Sequence, residues 1–139
     1  MLRNLPVDDL ELLRQEEREA ALLRLLGQQM GAAFHPKSLP LPGGGALELD
    51  GFSAQPRVAC QVFADQSQQL LTAAEEERAV LDIWKLAYAS ETLGHTLRRV
   101  LLFADRAAAR RYLASGAIRD AIEDAGVEVH IAAETSQIH

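Results

Sequence analysis

The sequence predicts an α/β domain, with a mixed β-sheet flanked by helices. Three observations carry this. Two long segments, about 8–30 and 68–90, repeat apolar residues at the helical period. Between them Ala46 to Ala64 alternates apolar and polar residues as a strand pair does. Farther on, Arg98 to Asp105 (RRVLLFAD) is a continuous apolar run bounded by charges, the pattern of a strand covered on both faces. At 139 residues and 48% hydrophobic, the chain is expected to form one domain, residues 1–139, with its own core.

The first helix is expected from a cap at Asp8 or Asp9 to about Met30, stopped by Gly31. Glu16 falls near the middle of its apolar stripe, where an unpaired carboxylate is costly. Either an arginine partner or a functional site explains it. His35 to Gly45 (HPKSLPLPGGG) is a loop or a short edge strand, because proline cannot donate to a ladder. Its glycines are not a phosphate loop, since no Gly-Lys-Ser/Thr ending and no helix follow.

In the hairpin, Leu47 and Leu49 point one way, and Ala46, Glu48 and Asp50 the other. Val58, Cys60, Val62 and Ala64 share a face of the second strand, and Ala59, Gln61 and Phe63 the opposite one. The turn is expected over Gly51 to Pro56. Glu48, Asp50 and Gln61 thus collect on one polar face of the pair. Asp50-Gly51 also reads as plain turn chemistry. Cys60 reads as a small buried hydrophobe.

In the second long helix, Gln68 to Ser90, the stripe is Leu70, Ala73, Ala74, Leu81, Trp84 and Tyr88, with Glu77 inside it. Trp84 and Tyr88 read as core. Asp82, Arg78 and Lys85 fall off the stripe. Asp105 can cap a helix over Ala107 to Ser115, ended by Gly116. A short helix, Ala117 to Ala125, ends at Gly126. Val127 to Ala132 is a last strand with Glu128 and His130 outward, and Glu134 to His139 is expected to fray.

No apolar run approaches the roughly 20 residues of a membrane span, and the N-terminus lacks the apolar core of a secretory signal. No membrane association is expected. A single cysteine suits a reducing compartment, the cytoplasm. The net charge of −6 gives no general attraction to nucleic acid, and the arginines between 98 and 119 read as a solvated face. A homodimer, a protein partner and nucleic acid all stay open.

The order helix, strand meander, helix, strand resembles the PD-(D/E)XK nuclease superfamily, the restriction-endonuclease-like fold, over about residues 8–132. The resemblance implies a divalent-metal site built from an aspartate on one strand and an acid-x-lysine triplet on the next, with a glutamate from the first helix assisting. Asp50 matches the aspartate and Glu16 the assisting glutamate. Gln61-Val62-Phe63 stands at the acid-x-lysine position. Gln61 is neutral, and Phe63 replaces the lysine. In some members the lysine has moved to the following helix, where Arg78 and Lys85 stand here. Lys85 can serve only if that helix is rotated from the stripe above. The catalytic set implied is Asp50, Gln61, Glu16 and Lys85. The metal set implied is Asp50, Gln61 and Glu77, with oxygen ligands for Mg²⁺ or Mn²⁺. The two departures favour impaired catalysis and an interaction module. The alternative is an active metal-dependent nuclease or phosphodiesterase with a rearranged site. An unrelated α/β protein of the same element order is the third reading.

Overall fold

The structure, a computed structural model, describes residues 7–65 and 69–132. Helix α1 (Val7–Met30) turns its Leu22, Leu23, Leu26 and Met30 toward the sheet. It already includes Asp8 and Asp9. It stops at Gly31, whose φ of +66° is the left-handed value that favours glycine. Strand β1 (His35–Pro40) lies at the sheet edge, where Pro36 and Pro40 cost no central ladder bond. Strands β2 (Ala46–Ala54) and β3 (Arg57–Phe63) form the hairpin. Its turn is shorter than predicted, because Gly51 to Ala54 remain paired with Cys60 to Arg57.

Helix α2 (Ala73–Leu93) begins later than predicted. Thr72 caps it by accepting from the Glu75 N–H, and the Glu75 carboxylate accepts from the Thr72 N–H in return, a capping box. Strand β4 (Arg98–Phe103) is buried along its last four residues. Asp105 caps α3 (Arg106–Leu113) as predicted. Gly116 does not end that helix. It opens α4 (Gly116–Ala125), because the Ser115 hydroxyl accepts from the Ile118 N–H. Gly126 closes α4 in the left-handed conformation, and β5 (Glu128–Ile131) follows. Glu128 and His130, expected outward, are half-buried, while Val129 is exposed. Glu128 takes two hydrogen bonds from Arg98, at 2.9 and 2.6 Å, which pull its carboxyl down to about 2. The tail expected to fray lies outside the described residues.

The five strands form one sheet in the order β1-β2-β3-β4-β5, with the first three antiparallel and the last three parallel. The α/β class is therefore as predicted. Helix α1 covers Val58, Cys60, Val62, Val100 and Leu102 on one face. On the other, α2, α3 and α4 cover Ala59, Phe63, Leu101 and Phe103. Each large side chain buried this way contributes roughly 1.5–3 kcal/mol. Among the described residues no helix is long and apolar enough to cross a membrane.

One phase differs from the sequence reading. The face of α2 toward the sheet is Ala79, Ile83, Leu86 and Ala89; Leu81 and Trp84 stand off it, whereas Tyr88, half-buried, packs against that core as expected. Leu81 and Trp84 are half exposed, and Leu70, 91% exposed, precedes the helix. Ala79 and Ala89 let α2 approach the sheet, Ile83 and Leu86 fill the space between, and Leu81 and Trp84 are left on the outer side. This rotation moves Asp82 and Lys85 to the inner edge of the helix.

Candidate functional site

The site starts from an irregularity in β2. Its pairing with β1 runs Lys37 to Leu49 and then His35 to Phe52, so Asp50 and Gly51 together oppose Pro36 alone. This is a bulge, which re-aims side chains. Before it, Leu47 and Leu49 face α2. After it, Gly51 faces α1: a Cβ there would lie 2.9 Å from Leu23 Cδ2.

The β2–β3 ladder also ends here, at Gly51 opposite Cys60. At the next position side chains replace it. The Asp50 N–H donates to Gln61 Oε1 at 2.8 Å, and the Val62 N–H donates to Asp50 Oδ2 at 2.8 Å. Two strands that would otherwise part are held by a carboxylate and an amide.

Helix α2 completes the group. Gln61, itself fully buried, donates from Nε2 to Asp82 Oδ1 at 3.3 Å. Lys85 Nζ lies 3.5 Å from the same oxygen. Burial raises the pKa of Asp50, against the Val62 N–H and the Lys85 charge, which lower it. Burial also raises Asp82, with Lys85 opposing and Asp50 adding to the rise. Glu19, on α1, is raised by burial and then by the Asp50 charge. Three carboxylates that resist ionisation therefore lie in one group, and the Lys85 ammonium offsets two of them, Asp50 and Asp82.

Asp50 and Glu19 stand between two cavities. A groove of about 890 Å³ runs along α1, floored by Leu23, Gly27 and Phe34. A cleft of about 300 Å³ opens toward α2, lined by Gln15, Asp82, Arg78 and Asp65 among others. The cleft's far wall is fixed by Arg111. Its guanidinium bonds Asp65 at 3.1 Å, Glu75 at 2.7 and 2.9 Å, and the Gln69 carbonyl at 2.5 Å. Tyr112 donates to Asp65, and burial with the Asp65 charge pushes its phenol up to about 12. Asp65 and Glu75 are thereby committed to structure.

The residues singled out from sequence separate accordingly. Asp50 and Gln61 are adjacent, and Lys85 joins them through Asp82. Glu16 is exposed and only borders the larger groove; Glu19, about one turn onward, is the α1 acid that senses Asp50. Glu77 is exposed, because the rotation of α2 that brings Asp82 and Lys85 in takes it out. Glu48 does not share a face with Gln61. Below the bulge it accepts from the Ser38 hydroxyl at 2.8 Å. Cys60 is fully buried on the α1 side, and burial holds its thiol well above the usual range. Asp82 is the member sequence reading missed. Its signal was an Asp-x-x-Lys pair amid Val80, Leu81, Ile83, Trp84 and Leu86.

Asp50, Asp82 and Glu19 offer hard oxygen donors, and among the described residues no histidine or thiol lines the cleft. That donor set fits Mg²⁺ or Mn²⁺ rather than a softer metal. Among the described residues no three His, Cys, Asp or Glu side chains form a ready metal cage. A cation that keeps several waters needs no cage, only one or two carboxylates. No family model, curated protein or solved structure matches the chain.

Proposed function

We propose that the chain is a nuclease-like domain with a rearranged site that hydrolyses phosphodiesters with Mg²⁺ or Mn²⁺. The observation that carries this is the Asp50–Gln61–Asp82–Lys85 chain of contacts. An acid and a lysine, both missing beside Gln61 on β3, are supplied by α2. The element order, helix, antiparallel strands, helix, strand, is the one on which the resemblance to PD-(D/E)XK nucleases rests. The lone cysteine and the absence of a membrane-length helix among the described residues suit a cytoplasmic protein.

Asp50 and Asp82 would hold the ion, with Glu19 reaching it from α1. When bound, the ion supplies positive charge for the phosphate oxygens and lowers the pKa of a coordinated water. Gln61 pins the Asp50 backbone N–H and orients the Asp82 carboxylate, while the Val62 N–H holds the Asp50 carboxylate. Asp82 positions the Lys85 ammonium, which can hydrogen-bond the attacking water or the phosphate. Water attacks phosphorus and gives up a proton to solvent, and the P–O bond to the leaving oxygen breaks, that oxygen taking a proton from solvent to depart as the alcohol.

Calorimetric titration with Mn²⁺ should show binding that Asp50→Asn abolishes. Cleavage of a labelled oligonucleotide should fall about 10²-fold or more in Lys85→Met and Asp82→Asn. No binding at millimolar Mn²⁺, or cleavage that survives Asp50→Asn, would sink the proposal. The neutral Gln61 favours a second reading, an interaction module that binds a partner or a second copy of itself. Absence of both metal binding and cleavage would select it.

A further inference from the structure

The sheet has two edges, and the chain treats them differently. At one edge, β1 carries Pro36 and Pro40 and pairs with β2 through a bulge. Proline offers no N–H to an incoming strand, and a bulge twists an edge away from one. At the other edge, β5 has neither device. It bonds to β4 on one side, and among the described residues no strand pairs with its other side. Val129, an aliphatic residue of this strand, is left 37% exposed.

The side chains of β5 sort by face. Val129 and Ile131 stand beside Leu101 and Phe103, on the side of α2, α3 and α4. Glu128 and His130 stand beside Val100 and Leu102, on the α1 side. There the two Arg98 hydrogen bonds hold Glu128, and His130 Nε2 lies 3.2 Å from its Oε1. An acid and a histidine two residues apart on one face form a self-complementary pattern. Two copies of such a strand can meet antiparallel about a two-fold axis normal to the sheet. Each face then stays on its own side, and the axis passes between one residue and its own copy. An axis at Glu128 opposes two carboxylates, and an axis at His130 opposes two imidazoles. An axis at Val129 opposes each Glu128 with the partner's His130, and the two Val129 side chains with each other.

We propose that β5 is a dimer edge, where two copies of the chain pair antiparallel in the register centred on Val129 and join their sheets into one. Each Glu128 then sits between its own Arg98 and the partner's His130. Arg98 already fixes the carboxylate, so little ordering is left to be done on association. Like groups directly opposite disfavour the neighbouring registers. The occupant is a second copy because the pattern complements itself. None of Val127 to Ile131 lines the cleft that holds Asp50 and Asp82, so the pairing is independent of the phosphodiesterase reading. A strand pair this short falls below the roughly 1,000 Å² of a stable complex, so the dimer should be half-formed on the order of 10–100 µM.

Sedimentation equilibrium of the full chain in EDTA, from about 5 to 500 µM, should show monomer giving way to dimer. EDTA keeps this result apart from the fate of the metal site. Val129→Lys sets two ammonium groups across the axis and should weaken the dimer about tenfold or more, with the circular dichroism spectrum unchanged. Cross-linking reads the register. Cys60 is fully buried and should stay silent. Oxidised Val129→Cys should run as a covalent dimer on a non-reducing gel, since directly opposed positions lie within disulfide reach. The two copies of His130→Cys would stand roughly 8 Å apart along the strands, beyond that reach, and should cross-link far more slowly. A monomer at every concentration overturns the proposal. Protected outward amides of β5 in that monomer would assign the edge to residues 133–139 of the same chain. A dimer that survives Val129→Lys also overturns it and assigns association to another surface, such as the exposed side of Trp84. Equal cross-linking by the two cysteine variants overturns the register.

Discussion

Glu19, Asp50 and Asp82 each carry a raised pKa in the fold. Unfolded, they titrate at about 4. Their raised folded values mean that the fold bears a cost for each of these carboxylates that it holds ionised. As pH falls through their raised folded values, the folded state takes up protons before the unfolded state does, and that cost is relieved. Glu75 and Glu128 act in the opposite sense. Their folded values are lowered, so their support is present at neutral pH and is lost in more acidic solution, as pH falls through those lowered values. Metal-free protein should therefore melt at a higher temperature near pH 5 than at pH 7. Mn²⁺ should raise the melting temperature at pH 7 and do so less at pH 5, where protons compete for the same oxygens. Asp50→Asn keeps an oxygen for the Val62 N–H but removes a charge. Without metal it should gain about 1 kcal/mol at pH 7 and flatten the profile, as functional residues that oppose stability do. A second residue tests packing alone. A Cβ on Gly27 would sit 2.5 Å from the Ala32 carbonyl oxygen, which is backbone and cannot swing aside. Gly27→Ala should cost about 1–3 kcal/mol in urea unfolding, as overpacking does.

Helix α2 decides how the site is read. Its existence was legible in the periodicity of Leu81, Trp84 and Tyr88, but its rotation was not. Apolar residues stand on two sides of this helix, and the largest of them, Trp84, is on the outer one. A stripe drawn through the largest side chains therefore points outward, carries Glu77 inward on paper and leaves Lys85 outside. The small Ala79 and Ala89 were the better guide, since close packing against a sheet demands small residues. Asp50 and Gln61 were legible because strand alternation and hairpin pairing fix their neighbourhood. Glu19 in place of Glu16 was not, since a few tens of degrees in the phase of α1 exchange them. The start of α2 was also written in the chain, in Thr72-Ala-Ala-Glu75, a capping box that periodicity alone passes over. Thr72→Ala should lower stability by about 0.5–2 kcal/mol, read by thermal or urea denaturation.

At the scale of the molecule, the α/β class and the order of elements were legible because the continuous apolar run of β4 and the alternation of β2 and β3 leave few other arrangements. The bulge at Asp50 and Gly51 was hidden, since it arises from the register with β1, a strand whose prolines made it ambiguous. That bulge and the parted ladder beside it have a mechanical consequence. The first half of β2 bonds to β1, and the second half to β3 over four ladder pairs. The β1 edge and Ala46 to Leu49 thus form a cantilever, fastened to the rest of the sheet along a short seam and propped by Leu39, Leu47 and Leu49. Amide exchange should show the cantilever opening as a unit at lower free energy than β3 and β4. Each such opening would spread the strands at Asp50 and Gln61. Entry to the cleft would then follow the breathing of the sheet.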